Sequence, residues 1–218
     1  MSMDYFVEDV KKHRVVMIYR GLGPEECLAF TEVLKETGIR YFEVTLNTPG
    51  AMESIKLMKD RFGSEVSVGA GTVLTAEQVK EVADAGGAYI ISPNMNEDVI
   101  KTTKQLGLYS IPGAFTPTEI VRACEVGADM VKVFPINVVG AEYIRQLRGP
   151  LEDIPFMATG GVKLDMVEGL FKAGTDAIGL GVHLLGKEWV ETKNWDELQA
   201  SAKRFLRAAG YTEGGLAL

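Results

Sequence analysis

Residues 41–71 read YFEVTLNTPGAMESIKLMKDRFGSEVSVGAG. Two runs rich in β-branched and apolar residues, Tyr41–Leu46 and Val66–Ala70, enclose a stretch in which Ile55, Met58 and Phe62 recur at helical spacing. The segment therefore reads as strand, helix, strand. The same unit repeats along the chain. Further strand-like runs are Val15–Arg20, Tyr89–Ser92, Tyr109–Pro112, Met130–Phe134, Phe156–Ala158 and Ala177–Leu180, each run starting 20 to 26 residues after the one before. Eight βα units in alternation predict a parallel sheet with right-handed crossovers, and eight is the number at which such a sheet closes. The expected fold is α/β, a (β/α)8 or TIM barrel. The alternative, an open doubly wound sheet, expects a Gly-rich dinucleotide turn after an early strand, and Arg20-Gly21-Leu22-Gly23-Pro24 places proline in that pattern.

The helix boundaries support the alternation. Thr116-Pro117-Thr118-Glu119 offers an N-cap, a proline at the first helical position and a capping-box glutamate, and Thr75 with Gln78 and Asn194 with Glu197 repeat the pattern. Gly38, Gly86, Gly107, Gly127, Gly174 and Gly210 each follow a helix-like run, where a left-handed residue is wanted. Residues 3–12, within an N-terminal segment 1–14, read as an added amphipathic helix, and residues 211–218 as a short tail. With no long linker, low-complexity tract or heptad array, residues 1–218 are expected to form a single domain.

The chain of 218 residues is 46% hydrophobic and 24% charged, the balance of an ordinary globular protein. Its formal charge of -7, with no basic run, argues against nucleic acid as a partner and leaves room for local sites that bind small anions. Cys27 and Cys124 read as reduced thiols, and two cysteines with the distant His13 and His183 write no zinc signature, so no metal site is expected. The acidic start lacks the apolar core of a signal peptide, and no stretch is long and apolar enough for a membrane span. A cytoplasmic protein is expected.

Polar residues inside strands of a closed barrel require a reason. The period of two in Tyr41–Leu46 sets Phe42, Val44 and Leu46 on one face and turns Glu43 and Thr45 into the barrel. In Met130–Phe134 it sends Val131 and Val133 to the helices and Lys132 inward beside Met130 and Phe134. A buried ammonium is costly unless paired or neutral. Two readings follow: a static Lys132–Glu43 pair that serves packing, or a neutral amine at a barrel mouth, the nucleophile that makes a Schiff base with a carbonyl substrate. Arg20 and Thr72 fall at the carboxyl-end rim where barrel enzymes place their sites, although a loop arginine and a turn hydroxyl are also ordinary there. Thr159-Gly160-Gly161 after the seventh run and Gly179-Leu180-Gly181 in the eighth offer bare amides where barrels often hold phosphate, or simply tight turns.

Six motifs carry a family resemblance: Glu43-Val44-Thr45-Leu46, Gly69-Ala70-Gly71-Thr72-Val73-Leu74, Ser92-Pro93, Ile111-Pro112-Gly113, Lys132-Val133-Phe134-Pro135 and Thr159-Gly160-Gly161-Val162. Their order and spacing, over roughly residues 12–208, resemble the 2-keto-3-deoxy-6-phosphogluconate (KDPG) aldolase family, which includes 4-hydroxy-2-oxoglutarate and 2-keto-3-deoxy-6-phosphogalactonate aldolases. The resemblance implies a class I, metal-independent aldehyde-lyase without a cofactor, a homotrimer, cleaving a 2-keto-3-deoxy acid to pyruvate and an aldehyde. It implies Lys132 as the Schiff-base lysine and Glu43 as the proton shuttle. It further places Thr72, Pro93, Phe134 and Thr159 around the pyruvyl portion and Gly160, Gly161 and Gly181 at the phosphate turns, and Arg20 resembles the arginine found after the first strand in several members, here expected to hold the substrate carboxylate. Two positions depart from the common pattern: Asn47, where many members carry arginine and which resembles the phosphogalactonate branch, and Val182, where many carry serine. Losing a cation and a hydroxyl weakens a dianion site, so an unphosphorylated sugar acid is the alternative substrate. From architecture alone, an isomerase or epimerase barrel and an anion-binding module also remain open.

Overall fold

Period-two apolar residues need cover on one face and filling on the other, and the computed structural model, which describes residues 3–212 and 215–216, meets both needs with a barrel. Its strands are β1 (Val15–Tyr19), β2 (Tyr41–Thr45), β3 (Ser67–Gly71), β4 (Tyr89–Ile91), β5 (Tyr109–Ile111), β6 (Gly113–Ala114), β7 (Val131–Val133), β8 (Phe156–Thr159) and β9 (Ala177–Gly181). All neighbours pair in parallel, in the order β5-β4-β3-β2-β1-β9-β8-β7-β6. Only Pro112 separates β5 from β6, so the two ends of this order are one run of chain and the ring closes. Along that run Ser110, Pro112 and Ala114 accept from the amides of Asp129, Lys132 and Phe134, while β5 pairs with β4 on its other side. The eight expected runs are thus the eight staves, the fifth split where proline lacks an N–H.

Helices α2 (Pro24–Lys35), α3 (Ala51–Phe62), α4 (Ala76–Asp84), α5 (Glu97–Gln105), α6 (Pro117–Val126), α7 (Gly140–Arg148) and α8 (Leu164–Lys172) alternate with the strands. Their apolar faces meet the outward strand residues Phe42, Val44, Val131 and Val133 in one buried cluster. Thr75, Thr116 and Asn194 cap their helices as expected, and the six glycines named above all take positive φ. A short helix α9 (Lys187–Thr192), which the periodicity does not mark, precedes α10 (Trp195–Ala208).

Helix α1 (Met3–His13) lies across the amino-terminal end of the barrel. Its Phe6, Val7 and Val10 join Val16, Tyr41, Tyr89, Ile91, Ile111, Met130, Met157 and Ala177 in a second buried cluster that fills the lower interior. The Phe6 ring stacks on Tyr109 at 3.9 Å between centroids. Beyond α10, β10 (Tyr211–Thr212) pairs antiparallel with β11 (Gly215–Leu216), and the remaining tail residues lie outside the described residues. Among the described residues no helix is long and apolar enough to cross a membrane.

Candidate active site

Glu43 and Lys132 sit on inward faces of β2 and β7, at the level above the apolar filling. Glu43 is 1% and Lys132 5% exposed, so both ionisable groups are withdrawn from bulk water. No carboxylate oxygen of Glu43 stands within 4.0 Å of the Lys132 ammonium nitrogen, since the ion pairs among the described residues do not include this one. A closed, static salt bridge is therefore not what fills the barrel mouth. Burial pushes the Glu43 carboxyl above its ordinary range, opposed by the positive charges of Lys132 and Arg20. Burial also pushes the Lys132 amine down, with Glu43 opposing and Arg20 adding to the shift. Both groups are thus biased toward their neutral forms, which is the condition for an amine nucleophile beside a proton donor.

The surroundings make room for these side chains. A Cβ on Gly71 would lie 1.6 Å from Glu43 Oε1, and one on Gly69 would strike the Tyr89 ring. Glycine at inward position 71 is what lets the carboxylate extend into the interior, and glycine at inward position 69 makes room for the Tyr89 ring beneath it. Below it, Tyr89 donates to the Phe42 carbonyl over 2.7 Å, which fixes the floor. The Lys132 nitrogen lies 5.1 Å from the centroid of the Phe134 ring. Glu43 Oε2 and Thr159 Oγ1 are buried without a hydrogen-bond partner. Each such atom costs about 1–3 kcal/mol when left unpaired, which a substrate atom would relieve.

The other expected residues stand at the carboxyl ends of the strands. Thr72 directly follows β3 at φ +59°, a left-handed conformation that a threonine adopts only when its surroundings impose it. Gly179 leaves space for the Thr159 hydroxyl, and Gly113 for the Pro93 carbonyl. Gly160 packs against Phe134 and Pro135 across a cis peptide bond, and Gly161 packs against the side chain of Asn137. Gly181 ends β9, and Val182 after it is fully buried in the apolar cluster. Arg20 is exposed just beyond β1, with its charge acting on both Glu43 and Lys132. Asn47 is exposed on the loop after β2, and its side chain takes part in none of the hydrogen bonds among the described residues.

Three contributors are absent from the pattern reading of the sequence: Gly71 as the cradle of the carboxylate, Asn137 beside the glycine turn, and the contacts that Thr48 and His183 make with the Arg20 loop. Gly71 carries a detectable signal, because it lies two residues from Gly69, which is registered opposite Glu43, and so shares its inward face. The others depend on contacts between distant loops. A separate cavity of about 570 Å³ opens at the amino-terminal end beneath α1, lined by Asp9, His13, Arg40, Tyr41 and Lys59 among others. None of the expected site residues lines it.

A family model described as "Aldolase: KDPG and KHG aldolase" matches residues 7–201. The 2-dehydro-3-deoxy-6-phosphogalactonate aldolase of Escherichia coli (strain K12) is 36% identical over 171 residues, 78% of this chain and 83% of that protein. The 2-dehydro-3-deoxy-phosphogluconate aldolase of Haemophilus influenzae is 27% identical over 193 residues, 88% of this chain and 91% of that protein. A solved structure described as "Native KDPGal structure" is similar with a TM-score of 0.82 at 34% identity, covering 89% of this chain and 93% of that one.

Proposed function

The chain belongs to the KDPG and KHG aldolase family, class I lyases that cleave 2-keto-3-deoxy acids to pyruvate and an aldehyde, and on that premise we propose that Lys132 forms the Schiff base and Glu43 moves the protons. The observation that carries this assignment is the buried but unbridged pair, one amine lowered and one carboxyl raised, with Glu43 Oε2 lacking a partner.

The neutral Lys132 amine attacks the C2 ketone, and the carbinolamine loses water with a proton from Glu43, giving an iminium ion. Glu43, now a carboxylate, takes the C4 hydroxyl proton. The C3–C4 bonding pair moves toward the iminium, the aldehyde leaves, and an enamine remains. Glu43 passes that proton to C3, giving the pyruvate iminium, and its hydrolysis by water releases pyruvate, restores the neutral amine and returns a proton to Glu43. Arg20 and the Thr159 hydroxyl hold the substrate carboxylate, and Thr72, Pro93 and Phe134 enclose the pyruvyl portion.

At the far end, the substrate tail lies against the turns of Gly160, Gly161 and Gly181, near Asn47. Val182 supplies no hydroxyl there, which supports a site that takes phosphorylated and unphosphorylated tails with similar efficiency. We further assign the chain to one domain, from the lack of any linker, acting in the cytoplasm, from the expected absence of a signal peptide, and as a homotrimer, as the family resemblance implies.

The assignment is tested by incubating the protein with pyruvate and borohydride and mapping the product by peptide mass spectrometry, with Lys132→Ala as the control. A reduced adduct on the Lys132 peptide, absent in the control, is expected. Full aldolase turnover by Lys132→Ala would overturn it.

A further inference from the structure

One peptide unit at the barrel mouth is gripped from two sides. The carbonyl of Arg20 and the N–H of Gly21 belong to the same peptide bond. His183 Nε2 lies 3.2 Å from the Arg20 oxygen, and because a carbonyl only accepts, that nitrogen carries the ring proton. The Gly21 amide donates to Thr48 Oγ1 over 2.8 Å. The two side chains come from opposite neighbours of β1: Thr48 from the loop after β2, and His183 from the 3₁₀ turn Val182–Leu185 that follows β9.

The Thr48 side is itself anchored. Its hydroxyl lies 3.2 Å from Thr45 Oγ1, which donates to the Tyr19 carbonyl over 3.3 Å, and both threonines are buried. The chain therefore leaves the closed barrel at Tyr19 and meets a second restraint two residues on. Gly21 has φ +76° with open space where a Cβ would be, so glycine is needed here for its backbone conformation and not for room. A left-handed glycine after an exposed arginine is a natural hinge, and the grip removes its freedom.

We propose that His183 and Thr48 are positioning residues that hold the Arg20–Gly21 peptide so that the Arg20 guanidinium receives the carboxylate of the keto acid. The proposal rests on the aldolase reading for the identity of that carboxylate. It also ties the two ends of the substrate together, because His183 stands two residues after Gly181 in the glycine turn assigned to the tail. A loop restraint serving stability alone is the competing role, and it makes no demand on Arg20.

The test compares His183→Phe, which removes the donor and keeps a ring, with His183→Gln, which restores an N–H, and Thr48→Val with Thr48→Ser. The readouts are kcat and KM for the keto acid, the dissociation constant of pyruvate by calorimetry, and the borohydride adduct on Lys132. His183→Phe and Thr48→Val are expected to raise KM and the pyruvate dissociation constant by roughly 5- to 20-fold with kcat within about 3-fold, and the conservative variants to recover most of the loss. In an Arg20→Ala background, His183→Phe is expected to add less than about 2-fold. Equal losses with and without Arg20, unchanged pyruvate binding in His183→Phe, or no recovery in His183→Gln would each overturn the positioning role. Failure of the wild-type protein to form the Lys132 adduct, while pyruvate binding still depends on His183 through Arg20, would overturn the imine reading and leave the positioning role standing.

Discussion

Glu43 and Gly71 share one volume: the carboxylate oxygen Oε1 occupies the place where a side chain on Gly71 would begin, 1.6 Å from an ideal Cβ. The strand after the one that bears the acid is left bare so that the acid can enter the barrel. A one-carbon addition cannot be absorbed there by a rotamer change of Gly71 itself, so the carboxylate must move.

Gly71→Ala is accordingly expected to lower kcat/KM by at least about 100-fold, since a reacting group displaced by an ångström loses its alignment. Overpacking at this buried point is expected to lower stability by roughly 1–3 kcal/mol. Steady-state kinetics and urea denaturation on the same preparation separate the two effects.

The pH dependence of imine formation follows from the direction of the Lys132 shift. The reactive amine is the unprotonated form, so the rate rises with pH, and burial sets the midpoint of that rise below the ordinary lysine value of 10.5. The positive charge of Arg20 pushes the Lys132 pKa down and the negative charge of Glu43 pushes it up. Arg20→Ala is thus expected to move the rising limb to higher pH and Glu43→Gln to lower pH. Borohydride trapping rates across pH read both shifts, and movement in the same direction would contradict the arrangement.

Stability and chemistry are opposed at this pair. Replacing both groups, as Glu43→Leu with Lys132→Met, is expected to abolish turnover and to raise the unfolding free energy near neutral pH by roughly 1–4 kcal/mol, because two buried ionisable groups are exchanged for apolar ones. Lys132 is depressed in the folded protein, so its share of the gain fades as pH rises to 10.5, where the unfolded amine is also neutral. Glu43 is raised, so its share fades as pH falls to 4.5, where the unfolded carboxyl takes up its proton too. Denaturation midpoints at several pH values check the shape.

For the substrate tail, a phosphorylated six-carbon keto acid is expected to exceed its unphosphorylated counterpart in kcat/KM by less than about tenfold, because the turn after β9 offers amides and no serine hydroxyl. Val182 is fully buried at that turn. A preference of several hundredfold for the unphosphorylated acid would remove phosphate from the description of the site.

Much of this architecture is legible in the amino-acid order. The eight runs, the helix caps at Thr75, Thr116 and Asn194, and the inward direction of Glu43 and Lys132 all follow from local periodicity, which residue types report directly. Strand limits shift by a residue or two, as at Arg20, which the pattern places in the first strand and the structure places beyond it. Pairing stops at the rim while apolar alternation runs on. Helix α9 escapes because a six-residue, mostly polar segment has too few turns to show a period. The hydrogen bond between His183 and Arg20 spans 163 positions in the chain, and its partners have nothing in their local sequence to announce each other. Closed topology brings them together, and topology is what a window of neighbouring residues does not contain.

The meeting of β5 and β6 at Pro112 leaves the main sheet with no free edge. Counting β5 and β6 as one stave, every stave has a parallel neighbour on each side, so the sheet offers no open edge onto which a strand of another molecule could add. The loops at the mouth are attached to a ring that is finished without them. Changes in loop length or composition can alter which acid enters without exposing a surface prone to aggregate, and the same ring can thereby carry different specificities at little risk to the folded state.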